Sequence, residues 1–176
     1  MFLISAYFDE ATQDRINEII TRIERCSGNN FLRTNLIPPH LTLSSFDNAD
    51  EEILIKLMKE LEYSFSSLEI CFVSPGQLMP SVMYLAPVLN RSMYDLSEWI
   101  YERLNMIGGI RISQKYRPFS WLPHVTVGKH LDQDEMIEAF RAIQSCFRPF
   151  NGKICELGLA KTRPYRDIVR YRLKEG

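Results

Sequence analysis

The sequence lacks the signals of an exported, membrane-spanning or metal-binding protein. Residues 1–5 carry no basic side chain ahead of an apolar stretch, and no apolar run reaches the roughly 18 residues that a membrane-spanning helix needs. The four cysteines match the spacing of neither a zinc site nor a redox pair, so we expect small, mostly buried thiols at Cys26, Cys71, Cys146 and Cys155. There is no His-Glu-x-x-His motif and no run of aspartates of the kind that holds magnesium. We therefore expect a cytoplasmic protein without a metal or another cofactor.

Length and composition are those of an ordinary globular domain. The chain has 176 residues, of which 45% are hydrophobic and 24% charged, and its net charge is −1. We expect a single domain over residues 1–176, monomeric and without membrane contact, and the charge excludes a strongly basic, histone-like nucleic-acid binder. Residues 153–174 nevertheless carry seven basic and two acidic residues. That stretch is interpreted either as a solvated strand face with its loop or as a surface that attracts phosphates.

One short phrase occurs twice in the chain. Residues 39–43 read PHLTL, and residues 123–127, which lie 84 positions later, read PHVTV. The chain has only three histidines and six threonines, so chance is a poor explanation for this repeat. Alternating polar and apolar residues mark a strand with one buried face, which puts His40 and Thr42 on the other face, about 7 Å apart along the strand. His124 and Thr126 are expected to lie in the same way.

The order of elements also repeats, between residues 1–80 and 81–176. Eight residues after each motif histidine comes a helix-capping residue with a glutamate three positions on, namely Asn48 with Glu51 and Asp132 with Glu135. The other predicted strands span 2–8, 68–73, 82–86, 153–160 and 167–173, and the helices that precede the motifs span 10–26 and 92–107. The repeat therefore covers a whole supersecondary unit.

These patterns predict an α+β fold of two pseudo-symmetric halves, bilobal, each with an antiparallel sheet and helices packed outside, around a central cleft. Such symmetry brings the four motif side chains together in the cleft. Two imidazoles that titrate at about pH 6.5 can serve as acid and base, and two hydroxyls can hold the non-bridging oxygens of a phosphate. The sequence thus predicts a metal-independent site for phosphoester cleavage, in which His40 and His124 are catalytic and Thr42 and Thr126 bind phosphate.

The paired motifs and the order of elements resemble the two-histidine (2H) phosphoesterase superfamily, and most of all its 2'-5' RNA ligase and cyclic nucleotide phosphodiesterase branch. The resemblance covers nearly the whole chain. It implies hydrolysis of the 2',3'-cyclic phosphate of RNA ends or nucleotides and, in some members, joining of RNA ends through a 2'-5' bond. It also implies that His124 activates water and that His40 protonates the leaving oxygen. Residues 44–47 read SSFD, where the RNA cyclic phosphodiesterases that it resembles continue with an aromatic-Leu-Gly stretch. The substrate therefore stays open among RNA ends, small nucleotides and another compound that bears a cyclic phosphate.

Other side chains are candidates for substrate contacts. Tyr7, Tyr84 and Arg170 can fall on the cleft faces of their strands, where a tyrosine stacks on a base and an arginine grips a phosphate. Lys129 adjoins the second motif and is interpreted either as a phosphate contact or as a lysine at a strand end. His130, without a threonine two positions on, is interpreted as a loop histidine. Residues 108–121 interleave cations with aromatics as single-strand binders do, although a solvated loop is the alternative.

Two further functions stay open beside the enzyme. The cleft could belong to a non-catalytic module that binds an AMP-like nucleotide or RNA, although a pure binder has no need of two complete motifs. An RNA-associated scaffold that works through residues 153–174 is the third interpretation.

Overall fold

The computed structural model describes residues 1–162 and 166–175, and these form five α-helices and eight strands. The strands are β1 Phe2–Phe8, β2 Leu41–Asp47, β3 Leu68–Leu78, β4 Val82–Pro87, β5 Arg111–Ile112, β6 Val125–Lys129, β7 Phe150–Lys161 and β8 Arg166–Arg172. The helices are α1 Glu10–Ser27, α2 Phe31–Thr34, α3 Glu51–Ser64, α4 Arg91–Met106 and α5 Gln133–Cys146, and a short 3-10 turn covers Gln114–Tyr116. All the predicted helices and strands are present, and α2, β5 and the 3-10 turn are additions that the sequence patterns did not indicate.

Local sequence explains where the helices begin. The predicted capping box of α5 is confirmed, because the Asp132 side chain accepts a hydrogen bond from the Glu135 amide and the Glu135 side chain reaches back to the Asp132 amide. The predicted cap of α3 at Asn48 is wrong. Asp50 caps that helix by accepting from two amides of its first turn, whereas Asn48 occupies a left-handed turn conformation with a φ of 65°, which asparagine tolerates well.

The strands of the two sequence halves form one largely antiparallel sheet rather than two separate ones. The strand order is β1-β2-β6-β4-β3-β7-β8, and β7 also pairs with β1, so the path closes into a ring of six strands. Strand β3 from the first half pairs with β4 of the second, and β7 from the second half pairs with β1 of the first. Each half thus lends a strand to the other, and the α+β fold class is confirmed.

The sheet has one face in the core and one face turned away from it. On β1, four alternate side chains lie in a single buried core together with the apolar stripes of the long helices: Phe2, Ile4, Ala6 and Phe8. The residues between them face the other way. On the motif strands the buried side chains are Leu41 and Leu43 in β2, and Val125 and Val127 in β6. The motif side chains are therefore left on the face that the helices do not cover.

Two further sequence expectations concern the thiols and the C-terminal cations. The cysteines are not mostly buried: Cys26 is exposed, and the other three are half-buried and unpaired in the described residues. Of the basic residues in the 153–174 stretch, Arg166 pairs with Glu51 and Arg170 pairs with Asp167, each at 2.7 Å, while Arg163 lies outside the described residues.

Within the part of the chain that the structure covers, no helix has both the length and the apolar character required to cross a lipid bilayer.

Candidate active site

The two motif strands meet immediately beyond their histidines. Strands β2 and β6 run antiparallel, and their pairing consists of Leu41 opposite Val125. His40 and His124 are the residues directly before this pair, so both imidazoles lie where the two halves of the sheet join. The predicted juxtaposition of the two repeats is thus present in the fold.

Both histidines are held by the same local contact. Nδ1 of His40 lies 2.8 Å from the carbonyl oxygen of Pro38, and Nδ1 of His124 lies 2.9 Å from that of Leu122. A carbonyl oxygen can only accept, so Nδ1 carries the hydrogen, and the neutral ring keeps Nε2 as its free acceptor. In each motif a proline separates the carbonyl from the histidine and fixes the backbone angle there. The repeat therefore presents the same ring nitrogen, Nε2, for proton transfer in both halves.

The threonines begin two rows of cross-strand neighbours, whose side chains share the face of the motif residues. The row that begins at Thr42 continues through Ser5, Gly158 and Arg170. The row that begins at Thr126 continues through Tyr84 and Gly76. The register thus brings the candidates Tyr84 and Arg170 to the same side of the sheet as the motif threonines.

Each histidine has a tyrosine beside it. The ring of Tyr7 lies 6.2 Å from that of His40, and the ring of Tyr84 lies 5.4 Å from that of His124 in an edge-to-face arrangement. Tyr7 is buried and Tyr84 is half-buried. Both candidates therefore contact the imidazoles directly, although only Tyr84 keeps a surface that a ligand can reach.

Both tyrosines lie over a glycine of the next strand. A Cβ atom at Gly158 would stand 2.6 Å from Cε2 of Tyr7, and one at Gly76 would overlap the hydroxyl end of Tyr84. The guanidinium of Arg170 covers a face of the Tyr7 ring, with its carbon 3.8 Å from the ring centroid. The absence of side chains at these two positions makes room for the rings.

A β-bulge turns Lys129 toward the site. Adjacent residues of β4 pair with Thr126 and Gly128, so Val127 is an extra residue in β6. With strict alternation along β6, the Lys129 side chain would point to the core. The extra residue shifts the alternation by one, so Lys129 lies on the same face as Thr126. Strand β2 has the equivalent bulge at Leu43, one residue beyond its own threonine.

The pKa of His40 is lowered from its ordinary value of 6.5. Burial of the imidazole is the largest cause, and the hydrogen bond to the Pro38 carbonyl opposes it. The positive charges of Lys129, His124 and Arg170 lower this pKa further. These charges favour the neutral form of the His40 imidazole, and Lys129 and Arg170 give the site a field that attracts anions.

Two residues of the candidate site were not singled out from the sequence. Burial raises the pKa of Tyr116 and the neighbouring Thr42 side chain opposes that rise, while the Trp121 Nε1–H donates to the Thr42 carbonyl oxygen at 3.0 Å. Both lie in the segment that interleaves cations with aromatics, and that mixture is the sequence signal that points to them. His130, in contrast, packs its ring against Phe31 at 4.4 Å and is exposed, as a loop histidine would be.

Among the residues that the structure covers, no group of three or more histidine, cysteine, aspartate or glutamate side chains is arranged to hold a metal ion. The polar groups that converge on the site are instead imidazoles, hydroxyls and cations.

Solved structures with this fold span essentially the whole chain. The protein TT0787 of Thermus thermophilus superimposes with a TM-score of 0.66 at 15% identity, and the match covers 99% of this chain and 98% of that one. LigT of E. coli, crystallised with 3'-AMP, superimposes with a TM-score of 0.58 at 15% identity, again over 99% and 98% of the two chains. At this level of identity the likeness establishes the fold.

Sequence comparison gives the family. The protein named "Putative phosphoesterase OB1230" of Oceanobacillus iheyensis is 27% identical over 146 residues, which are 80% of this chain and 77% of that protein. The resemblance to two-histidine phosphoesterases that the motifs carried is confirmed. Residues 10–166 match the family model of the 2'-5' RNA ligase superfamily, and the chain belongs to that superfamily. Membership supports a phosphoesterase type of activity.

Proposed function

We propose that this protein hydrolyses 2',3'-cyclic phosphates at RNA ends or in nucleotides by a metal-independent mechanism. The observation that carries the proposal is the paired anchoring of His40 and His124, which leaves Nε2 of each ring available at the junction of the motif strands. The family, the relative named as a phosphoesterase, and the neighbour crystallised with 3'-AMP support a phosphate ester of a nucleotide as substrate.

The proposed reaction needs two proton transfers. One neutral imidazole takes a proton from water as the water oxygen attacks phosphorus. The other imidazole, protonated, gives its proton to the ribose oxygen as the bond from that oxygen to phosphorus breaks. The products are a phosphomonoester and a free ribose hydroxyl. Each transfer is worth about a hundredfold to ten-thousandfold in rate.

The hydroxyls and cations stabilise the charge on the phosphate. Thr42 and Thr126 donate to its non-bridging oxygens, and Lys129 and Arg170 offset the negative charge that builds there. If the 5'-hydroxyl of a second RNA attacks in place of water and the bond from phosphorus to the 3'-oxygen breaks, the same transfers yield a 2'-5' bond and a free 3'-hydroxyl. Ligation is therefore a second outcome of the same proposed site.

The test is turnover of 2',3'-cyclic AMP and of cyclic-phosphate-ended RNA in the presence of a chelator. His40→Ala and His124→Ala should each reduce kcat by about a hundredfold or more, whereas His130→Ala should leave it unchanged. Rates that do not respond to either motif substitution would reject the proposal. Tight nucleotide binding without any product would instead identify the cleft as a binding module.

A further inference from the structure

The segment that leads into the second motif is fixed along the edge of the first motif strand. Its strand β5 pairs with the end of β2, and the Ser113 amide donates to the Ser45 carbonyl oxygen at 2.9 Å. At the other end, Tyr116 lies beside the Thr42 side chain and Trp121 hydrogen-bonds to the Thr42 carbonyl oxygen. Residues 113–121 therefore follow the edge of β2 down to the candidate site.

Phe119 stands out in this segment by its exposure and its backbone. Its side chain is 93% exposed, and its φ of 63° lies in the left-handed region, which a bulky residue adopts only at a cost in free energy. The ring lies 5.4 Å from that of Tyr94. A strained backbone that presents an aromatic ring to solvent, with a second ring beside it, contributes nothing to the core, and backbone strain of this kind clusters at functional sites.

Two cations lie in the same short segment as this ring. Lys115 and Arg117 are exposed, and in the described residues neither side chain forms an ion pair or a hydrogen bond. Phe119 is only two positions from Trp121, so its Cα lies within about 7 Å of a residue that touches Thr42. The aromatic ring and the two cations therefore belong to the segment that reaches Thr42 through Trp121.

We propose that residues 115–119 are a platform for single-stranded RNA, on which a nucleotide upstream of the cyclic phosphate stacks against Phe119. Lys115 and Arg117 bind the phosphates of that strand. Stacking on an exposed ring and attraction to unpaired cations are the two terms by which proteins hold single strands without reading sequence. This inference rests on the proposed function and selects RNA ends over free cyclic nucleotides as its substrate.

The kinetic test compares a short oligoribonucleotide that ends in a 2',3'-cyclic phosphate with 2',3'-cyclic AMP. Phe119→Ala should raise KM for the oligonucleotide by about tenfold and change kcat/KM for cyclic AMP by less than about twofold. Phe140→Ala is the matched control, because Phe140 is a 42% exposed phenylalanine on α5, and it should affect neither substrate. Equal effects of Phe119→Ala on both substrates, or no effect on either, would overturn the platform.

Two further variants separate recognition from folding. Phe119→Gly removes the ring and also relieves the backbone, so it should lose oligonucleotide affinity while its unfolding midpoint stays the same or rises. Replacing both Lys115 and Arg117 with alanine should reduce the slope of log KM against log salt by roughly 1 for the oligonucleotide. An unchanged slope would contradict the assignment of these cations.

Binding keeps this inference distinct from the proposed function. A labelled cyclic-phosphate oligoribonucleotide is titrated against the His124→Ala protein with and without Phe119→Ala, and fluorescence anisotropy gives the affinity. A loss of about tenfold in affinity on Phe119→Ala supports the platform. It does so even if the wild-type protein turns over neither substrate, because the absence of turnover would reject only the proposed hydrolase activity. Equal affinities would reject the platform even if hydrolysis is observed.

Discussion

The indole nitrogen of Trp121 donates a 3.0 Å hydrogen bond to the backbone carbonyl oxygen of Thr42. This contact links the segment before the second motif to the strand of the first. Because the two motif strands share the backbone pairing of Leu41 with Val125, the indole is a second connection at the same junction. The relative position of the two imidazoles therefore depends on a side chain that belongs to neither motif.

Trp121→Phe should loosen that junction. The substitution keeps an aromatic ring but leaves the Thr42 carbonyl without its donor, so we expect a loss of about 1 kcal/mol in unfolding free energy and about a tenfold fall in kcat/KM for 2',3'-cyclic AMP. Urea unfolding and steady-state kinetics measure the two effects. Trp99→Phe, which changes the other tryptophan, should leave kcat/KM unchanged. Equal kinetic losses in the two variants would show that Trp121 has no special role.

Tyr116 is expected to act through the Thr42 hydroxyl. When a phosphate oxygen accepts the Thr42 hydrogen, Tyr116 can donate to the Thr42 oxygen and strengthen that contact. Tyr116→Phe should therefore lower kcat/KM by about three- to tenfold, and Thr42→Val should lower it further. In the double variant the tyrosine change should have no additional effect. Simple multiplication of the two effects would indicate that Tyr116 acts independently of Thr42.

The sequence predicted the motif strands, the long helices and the succession of strands along the chain, because each depends on local periodicity and capping. It could not predict that β3 of the first half pairs with β4 of the second, or that β7 of the second half pairs with β1 of the first, since pairing between distant strands leaves no local pattern. The side of Lys129 depends on a bulge at Val127, and periodicity alone assigns that lysine to the core face. The contacts of Tyr116 and Trp121 with Thr42 could not be predicted, because Thr42 is more than 70 positions away in the sequence.

The pH profile should report the ionisation of His40. Burial and the nearby positive charges favour its neutral form, which is the form that a general base needs, the reverse of the roles that the family resemblance implies. We therefore expect the acid limb of kcat/KM to lie below pH 6.5. Removing the Lys129 charge raises the pKa of His40, so Lys129→Gln should move that limb to higher pH.

Lys59→Gln, an exposed change on α3, should leave the position of the limb unaltered. A shift of the alkaline limb in Lys129→Gln, with the acid limb fixed, would mean that His40 acts as the acid instead.

Stability should depend on pH through the same imidazole. The pKa of His40 is lower in the folded protein than its ordinary value of 6.5, so the unfolded chain binds a proton more readily. The stability that this shift contributes is complete above pH 6.5 and is lost as the pH falls through the lower, folded value. His40→Asn should show a flatter fall in unfolding free energy below pH 6.5, by denaturant titration at several pH values. Parallel curves for the two proteins would contradict the pKa shift.

The two glycines beneath the tyrosines should respond differently to alanine. Tyr7 is 2% exposed, its ring lies beside that of His40, and the Arg170 guanidinium covers it, so we expect no room for it to move away from a Cβ at Gly158. We expect Gly158→Ala to cost about 1–3 kcal/mol in unfolding free energy.

At Gly76 the new Cβ meets the hydroxyl end of the half-buried Tyr84, which can swing outward. Gly76→Ala should therefore keep its stability but lose the Tyr84 edge contact with His124, and kcat/KM should fall by about two- to tenfold. Gly108→Ala is the matched control, because a Cβ there meets no atom within 4 Å, and it should change neither quantity. If Gly76→Ala lowers the unfolding free energy as much as Gly158→Ala does, then Tyr84 is held as rigidly as Tyr7. Its ring would then be fixed before a ligand binds.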